Sequence, residues 1–266
     1  MSNQPILSVK GLEKTFGAVV AAKDINIDVT KGEIVGIIGA NGAGKTTFVN
    51  MVTGYLKASG GSIEFEGRDI TGIAPRRAVH AGLSRSFQVS QVFMSLSVME
   101  NLLTALALAR RKGTSLLRPI HEAVLVEECE AILKHYEIAD YRDQTASTLS
   151  QGVRKLLDIA MAVVGNPRLL LLDEPTSGVS IEEKFGIMDI VMSALKSEGT
   201  TVLFVEHDME IVERYVDRVI AFYQGEIICD APPAQALIDP RVRELVIGEE
   251  ISTSDTGEGG TEMANA

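Results

Sequence analysis

One glycine-rich segment restricts the folds open to this chain more than any other feature. It reads Gly39-Ala-Asn-Gly-Ala-Gly-Lys-Thr46 and lies between an unbroken apolar run, residues 34–38, and a helix-like run, residues 46–52. In such a unit the glycines let successive backbone N–H groups turn inward, and the helix directs the positive end of its dipole at the same place. The segment therefore matches a phosphate-binding P-loop. An ordinary glycine turn is the alternative, which the two flanks disfavour.

Side chains of this loop extend the prediction to a nucleotide with β- and γ-phosphates and to Mg²⁺. We expect Lys45 to reach the β- and γ-phosphate oxygens. The Thr46 hydroxyl emerges where a phosphate-bound Mg²⁺ would sit, and this ion takes few protein ligands beside phosphates and waters. The full set of predicted nucleotide contacts here is Gly39, Asn41, Gly42, Ala43, Gly44, Lys45, Thr46 and Thr47.

A second motif supplies two carboxylates. Residues 168–172 form a buried strand pattern that ends in Asp173 and Glu174, the Walker B pattern. Because successive strand residues point in opposite directions, Asp173 can face the metal while Glu174 faces the reaction centre. We predict that Glu174 polarises the attacking water. A helix-start carboxylate beside Pro175 is the alternative, which is weak next to a matched P-loop.

The remaining patterning predicts an α/β fold, with a P-loop NTPase core, N-terminal antiparallel strands and an inserted helical subdomain. Short alternating runs indicate the N-terminal strands, at residues 6–9, 25–29 and 63–65. Unbroken apolar runs indicate parallel strands buried on both faces, at residues 34–38, 169–172 and 202–205. Helical periodicity marks the insertion, at residues 98–109, 122–135 and 151–164, with a polar, basic loop at 110–119.

A chain of 266 residues with 45% hydrophobic content suits one well-buried domain that carries a subdomain. We place this domain at residues 1–248. Its core comprises residues 1–88 and 167–248, and its helical subdomain comprises residues 89–166. The acidic tail, residues 249–266, is rich in Ser, Thr, Gly and Glu and is predicted to be disordered.

Charge and cysteine content narrow the function classes. The formal charge is −11, of which five charges lie in the tail, so a strongly basic nucleic-acid surface is not indicated. Cys129 and Cys229 are far apart, which favours neither a disulfide framework nor a zinc site and suits a reducing cytoplasm. The N-terminus does not read as a signal peptide, and no apolar stretch approaches the roughly 20 residues that span a bilayer. We therefore expect any membrane role to act through a partner.

Five motifs in this order resemble the ATP-binding subunits of ABC transporters, over nearly the whole chain before the tail. Beside the P-loop and Walker B, three more segments match the family: Arg85-Ser-Phe-Gln88 resembles the Q-loop, Leu149-Ser-Gln-Gly-Val153 the signature motif, and Val205-Glu-His-Asp208 the switch-histidine segment. Together they form a far more specific signal than any one of them alone.

The resemblance implies a role for each motif. Gln88 would contact the metal or the attacking water and sense the membrane partner, and His207 would stabilise the γ-phosphate or the water. Ser150 and Gly152 would contact the γ-phosphate bound to the opposite subunit, so ATP would join two cassettes head to tail. Phe16 would stack on the adenine ring.

Each of these residues also has a simpler explanation. Gln88 could be a surface loop residue, Ser150 a helix N-cap, and His207 a core or capping histidine. Phe16 could be a core aromatic at a strand end. The order of the motifs beside the Walker pair favours the family roles of the first three, while the two interpretations of Phe16 stay evenly balanced.

Further segments look most like the ATPases of branched-chain or related amino-acid importers: Arg85-Ser-Phe-Gln88, Val92-Phe93, Ser97-Val-Met-Glu-Asn-Leu-Leu103 and Glu206-His-Asp-Met209. That resemblance implies two different transmembrane permease subunits, a second ATPase subunit or a second copy of this chain, and, indirectly, a periplasmic solute-binding protein. The cassette would lie peripherally on the cytoplasmic face of the inner membrane. Phe93 and Met94 would line a groove for a permease helix, or pack inside the helical subdomain.

The chain departs from the family pattern at two places. Gln151 and Val153 replace the first glycine and the closing glutamine of the usual signature. Ser180 stands where the loop after Walker B usually has Asp, and with Glu183 it forms a predicted capping box. Both departures weaken the expectation of a symmetric, fully active homodimer and are compatible with a heterodimer.

Three rival functions follow from the same residues. The first is the ATPase of a lipopolysaccharide-type exporter. The second is a soluble ABC protein that acts on nucleic acid or ribosomes. It predicts a tandem second cassette, a long coiled coil or a basic face, and the sequence indicates none of them. The third is a nucleotide-binding regulator without turnover, which Lys45, Asp173, Glu174 and His207 disfavour.

Overall fold

Ten strands form two sheets in the computed structural model, which describes residues 4–86, 91–110 and 123–248. The smaller sheet is antiparallel and contains β1 (Leu7–Phe16), β2 (Val19–Val29), β4 (Gly60–Phe65) and β5 (Arg68–Asp69), in the order β2-β1-β4-β5. The three alternating runs fall in β1, β2 and β4, so the predicted antiparallel N-terminal strands are confirmed, whereas β5 was not predicted.

The larger sheet contains β3 (Ile34–Gly39), β6 (Leu83–Arg85), β7 (Leu169–Asp173), β8 (Thr201–Val205), β9 (Arg218–Tyr223) and β10 (Glu226–Ala231). Its order is β10-β9-β3-β8-β7-β6, and every neighbouring pair is parallel except β9 with β10. The β3 strand therefore lies inside the sheet, and its carboxyl end leads into the P-loop between two parallel neighbours.

The apolar strands of this sheet are buried on both faces, as predicted. In β7, Leu169 and Leu171 join a hydrophobic cluster shared with the smaller sheet, whereas Leu170 and Leu172 join a second cluster shared with the long helices. Because side chains alternate along a strand, an unbroken apolar run fills both layers at once.

Helices cover this sheet. The longer ones are α1 (Lys45–Val52), α3 (Val98–Arg110), α4 (Ala123–His135), α5 (Gln151–Val163), α6 (Ile181–Glu198) and α7 (Met209–Tyr215). Shorter ones are α2 (Pro75–His80), α8 (Pro233–Ala236) and α9 (Pro240–Val242), with 3₁₀ turns at Ala139–Tyr141 and Ala146–Thr148 and a π-helical turn at Arg243–Ile247.

Side-chain caps fix where three of the helices begin. The hydroxyls of Ser150 and Ser180 accept the backbone N–H groups of Val153 and Glu183, at 3.3 Å each, and so cap α5 and α6. Asp208 caps α7. Each cap satisfies a backbone donor that has no partner inside its helix. The predicted capping box at Ser180 is thus present, since its hydroxyl also lies 3.1 Å from Glu183 Oε2.

Two predicted helix ends change. Arg110 is the last residue of α3 and is not the first residue of a loop, and α5 ends at Val163. The rest of the predicted basic loop, the residue at 122 and the acidic tail lie outside the described residues. The division of residues 1–248 into a core and a helical subdomain stays a prediction, because the helical region shares one continuous hydrophobic cluster with the large sheet.

Candidate functional site

The P-loop joins β3 to α1 as predicted, and the loop backbone packs closely on its surroundings. A Cβ atom at Gly39 would lie 2.5 Å from the carbonyl oxygen of Phe222 in β9. At Gly44, where φ is +105°, a Cβ would lie 2.7 Å from the carbonyl oxygen of Ala21. A side chain at either position would collide with fixed backbone, so the loop needs glycine for its fit as well as for its conformation.

A cavity of about 140 Å³ lies over this loop. It is lined by residues 41–47 of the loop and α1, and by Glu174 and His207 from the ends of β7 and β8. Since the carboxyl ends of parallel strands meet at the same edge of a sheet, three separate sequence motifs converge here. Most of the residues predicted to hold the nucleotide are thus brought together.

Lys45 is buried at the base of this cavity, with 6% of its surface exposed. Its ammonium donates hydrogen bonds to the carbonyl oxygens of Gly39, at 2.6 Å, and Ala40, at 3.1 Å. Burial lowers the pKa of Lys45, while the nearby carboxylates of Glu174 and Asp173 oppose that shift. The side chain is therefore folded onto its own loop, and its charge interacts with the two acidic residues.

Glu174 and His207 contact each other directly. His207 Nε2 lies 2.7 Å from Glu174 Oε1. Glu174 also has a left-handed backbone, with φ of +49°, and its N–H donates to the carbonyl oxygen of Val205 at 2.9 Å. Non-glycine residues in this conformation cost about 1–3 kcal/mol and cluster at functional sites.

The structure does not support two of the simpler explanations, a helix start at Glu174 and a core position for His207. No helix begins beside Glu174 at Pro175, because the turn continues until α6 begins at Ile181. His207 is exposed rather than part of the core.

Asp173 is buried at the end of β7 and pairs with Arg85 at the end of β6. The Arg85 guanidinium lies 2.5 Å from Asp173 Oδ2 and 2.6 Å from Asn50 Oδ1 in α1. Asp173 does not line the cavity itself, but its negative charge acts on Lys45. Sequence reasoning gave Arg85 no role beyond its place in the Q-loop motif.

Glu206 is a second residue whose role the sequence did not reveal. It is 3% exposed, and its Oε1 accepts hydrogen bonds from the Thr176 hydroxyl, at 2.6 Å, and the Thr176 N–H, at 3.2 Å. Its Oε2 accepts the N–H of His207 at 3.0 Å. One buried carboxylate thus holds both loops that border the cavity. The sequence feature that could have indicated Glu206 is its position as a carboxylate directly after a buried strand.

Lys155 is the third such residue. It is a buried lysine of α5, and its ammonium forms no hydrogen bond with any residue that the structure describes. Burial lowers the pKa of Lys155, and the charges of Asp158, Glu206 and Asp173 oppose the shift. The positive charge of α5 therefore balances part of the acidic cluster behind the cavity.

Other predicted residues lie elsewhere or are not described. Phe16 ends β1 and is 50% exposed, with the Lys14 ammonium 4.9 Å from its ring centre, so it is not a core aromatic. Ser150 is exposed at the start of α5, whereas Gly152 is buried where a Cβ would lie 2.8 Å from Ile187. Among the described residues that line the cavity, neither Ser150 nor Gly152 occurs. Gln88 lies outside the described residues.

Comparisons with known proteins agree with this geometry. Residues 22–177 match the ABC transporter family. The chain belongs to this family. The probable branched-chain amino acid transport ATP-binding protein LivG of Methanocaldococcus jannaschii is 35% identical, covering 92% of this chain and 98% of that protein. The high-affinity branched-chain amino acid transport ATP-binding protein BraF of Pseudomonas aeruginosa is 32% identical, covering 93% and 99%.

Solved structures of ABC cassettes have the same fold. The ADP conformation of MJ1267, an ATP-binding cassette of an ABC transporter, has a TM-score of 0.81 and 34% identity, covering 92% of this chain and 100% of that one. The cassette is thus a nucleotide-binding ATPase subunit of the kind whose ATP hydrolysis powers transport. No helix within the described ranges is both long and apolar enough to cross a membrane.

Proposed function

We propose that this cassette hydrolyses ATP at the P-loop cavity to drive uptake of branched-chain or related amino acids through separate permease subunits. The observation that carries the assignment of the reaction centre is the 2.7 Å contact between Glu174 Oε1 and His207 Nε2 at the edge of the phosphate loop. The names of the relatives, which refer to branched-chain amino acid transport, support this solute class over the lipopolysaccharide-type exporter.

The residues present fit a magnesium nucleotide. The Thr46 hydroxyl and the Asp173 carboxylate supply the hard oxygen donors that Mg²⁺ prefers, and Gln88 is the third proposed contact. Among the described residues, no group of three or more His, Cys, Asp or Glu side chains could hold a metal alone. That composition suits an ion held mainly by phosphate and water oxygens, and the bound ion would neutralise phosphate charge.

Each residue of the cavity has a proposed task. Lys45 exchanges its two loop carbonyls for β- and γ-phosphate oxygens, and the backbone of residues 39–47 encloses the phosphates. Glu174 polarises the attacking water. His207 holds the Glu174 carboxylate in place and meets the γ-phosphate. Phe16 offers its exposed face to the adenine ring.

A second cassette completes the site. Ser150 and Gly152 carry the signature motif but do not line the chain's own cavity, and Ser150 is exposed at the N-terminus of an amphipathic helix. We therefore assign the signature motif to the γ-phosphate bound by an opposing cassette. That cassette is either a second copy of this chain or a different ATPase subunit.

Permease contact is proposed at a groove of about 530 Å³ formed by α2, β6, α3 and α5. Val79 and Leu108 expose apolar surface there, and the exposed Arg76 adds positive charge, while no acidic side chain lines the groove among the described residues. These features suit an amphipathic permease helix that carries acidic residues. Phe93 and Met94 do not line this groove, but both are exposed, and we keep them as proposed permease contacts. We propose that the cassette lies peripherally on the cytoplasmic face of the inner membrane, with a periplasmic solute-binding protein on the opposite side.

A Glu174→Gln substitution tests the proposal. We expect ATP hydrolysis by the assembled complex to fall by about 10²-fold or more, because the amide cannot act as the base. Binding of Mg²⁺-ATP, measured by equilibrium dialysis, should stay within a few-fold of the wild type, since Glu174 lies beside the phosphate loop and not within it. The exposed Glu213 provides a matched control as Glu213→Gln. Unchanged hydrolysis in the Glu174 variant would refute the assignment.

A further inference from the structure

A buried arginine connects three elements behind the nucleotide cavity. Arg85 is the last residue of β6, and its side chain is 7% exposed. One terminal nitrogen of its guanidinium contacts Asp173 Oδ2 at 2.5 Å, and the other contacts Asn50 Oδ1 at 2.6 Å. Asp173 belongs to β7 and Asn50 to α1, so a single planar group is fixed to a strand and to the helix that follows the P-loop.

This contact limits how the Asp173 carboxylate can move. The side chain of Asp173 is itself only 9% exposed, and one of its two oxygens is taken by the guanidinium. The guanidinium is a rigid planar group. Its contact with Asn50 therefore fixes the place at which its other nitrogen meets the Asp173 carboxylate. The contact with Arg85 therefore restricts the rotation of the whole carboxylate, including its remaining oxygen, Oδ1.

The backbone around Arg85 is fixed as well. Arg85 pairs with Leu171 across β6 and β7, and the N–H of Ser86 donates to the Leu171 carbonyl oxygen at 2.9 Å. The guanidinium therefore starts from a strand that is anchored to the same strand as its acidic partner. A displacement of β6 relative to β7 would change the Arg85–Asp173 contact directly.

We propose that Arg85 is a positioning residue for the magnesium–nucleotide site, which holds Asp173 so that its second oxygen meets the metal shell. This inference rests on the proposed function. Residues that hydrogen-bond a metal-binding carboxylate orient it, and their loss typically costs about 10–100-fold in metal affinity. The opposite effect is also physically possible, because removing a cation next to Asp173 would strengthen attraction for a second cation. The two effects therefore predict opposite changes in metal affinity when Arg85 is replaced.

The test measures Mn²⁺ affinity in the presence of AMP-PNP, a non-hydrolysable ATP analogue, by electron paramagnetic resonance of free Mn²⁺. For Arg85→Gln we expect about tenfold weaker Mn²⁺ binding. Affinity for AMP-PNP in EDTA, measured by calorimetry, should stay within twofold of the wild type, because Arg85 does not line the phosphate cavity. Arg214→Gln, which removes an exposed pair with Asp189, is the matched control and should change neither value.

Two further variants separate positioning from simple stability. Arg85→Lys keeps the charge but reaches only one of the two acceptors, and Asn50→Ala removes only the second contact. Both should show intermediate losses of Mn²⁺ affinity. If circular dichroism shows that Arg85→Gln does not fold, these two variants test the positioning role of Arg85 in its place. Equal Mn²⁺ affinity in all folded variants, or tighter binding in any, would overturn the inference.

The outcome also distinguishes this inference from the proposed function. If the wild-type chain binds no AMP-PNP with Mn²⁺, the proposed function fails and the inference falls with it. If the wild type binds and the Arg85 variants bind equally well, only the role of Arg85 fails.

Discussion

At the scale of single residues, the reaction centre depends on one short contact between two side chains from different strands. Glu174 stands in a left-handed turn after β7, and His207 follows β8, which lies beside β7 in the sheet. The pairing places the imidazole within 2.7 Å of the carboxylate. The strained left-handed backbone is held in place by a hydrogen bond, which the Glu174 N–H donates to the Val205 carbonyl oxygen of the neighbouring strand.

His207→Ala should lower the rate of ATP hydrolysis by about 10²-fold, because the carboxylate loses the partner that orients it. The effect on the dissociation constant of Mg²⁺-ATP should be no more than a few-fold. His207→Gln, which can still donate a hydrogen bond, should recover part of the rate. Steady-state kinetics on the assembled complex provides the check, and full activity of the alanine variant would show that Glu174 needs no such support.

At the scale of elements, the turn after α1 shows how the backbone restricts sequence. Gly54 follows the helix with φ of +78°, and a Cβ there would lie 2.0 Å from the carbonyl oxygen of Ile73. Gly186 has the opposite surroundings, since it is exposed in the middle of α6 and a Cβ atom there would meet nothing within 4 Å.

This contrast predicts opposite stability changes for the same substitution. Gly54→Ala should lower the free energy of unfolding by about 2 kcal/mol or more, from the left-handed conformation and the collision. Gly186→Ala should raise it by about 1 kcal/mol, because alanine favours a helix interior over glycine. Urea unfolding without nucleotide measures both values. Equal effects of the two substitutions would contradict the described backbone.

The elements that sequence patterns predicted well are those with a long or unbroken apolar signal. The strand before the P-loop, β7, β8 and the helices α3 and α5 were placed to within a residue or two. The three-residue β6 was not, because Leu83–Arg85 is too short to show a period and forms only by pairing with β7. The sequence did not reveal the role of Arg85 either, because that role depends on contacts that are distant along the chain. Its contacts with Asp173 and Asn50 span 88 and 35 residues of chain, which local patterns cannot reveal.

At the scale of the whole molecule, a single cassette holds only part of the proposed reaction site. The P-loop cavity and the signature helix are both well formed, yet the described residues lining the cavity include none from the signature motif. The loop that begins at Glu174 approaches the signature closely, since a Cβ at Gly178 would lie 2.1 Å from the Gln151 side chain. The two departures from the family pattern, at Gln151 and in the loop that ends at Ser180, therefore lie close together.

The Glu174→Gln variant should form a dimer with Mg²⁺-ATP and stay a monomer with Mg²⁺-ADP, because only the triphosphate would be contacted by both cassettes. Size-exclusion chromatography with light scattering measures the mass. Adding Lys45→Ala should abolish the dimer and serves as the control. A dimer that forms only when the companion ATPase subunit is present would identify the heterodimer. A monomer under both conditions would contradict the two-cassette site.

The buried Glu206 affects how the two borders of the cavity move when phosphate is released. Because its two oxygens hold the segment at Thr176 and the segment at His207, neither border of the cavity can loosen without disturbing the other. Departure of the cleaved phosphate would then change the contacts of Glu206 on both sides of the cavity. We expect the segment at Thr176 and the segment at His207 to shift together when this happens, because one buried acid is bonded to both.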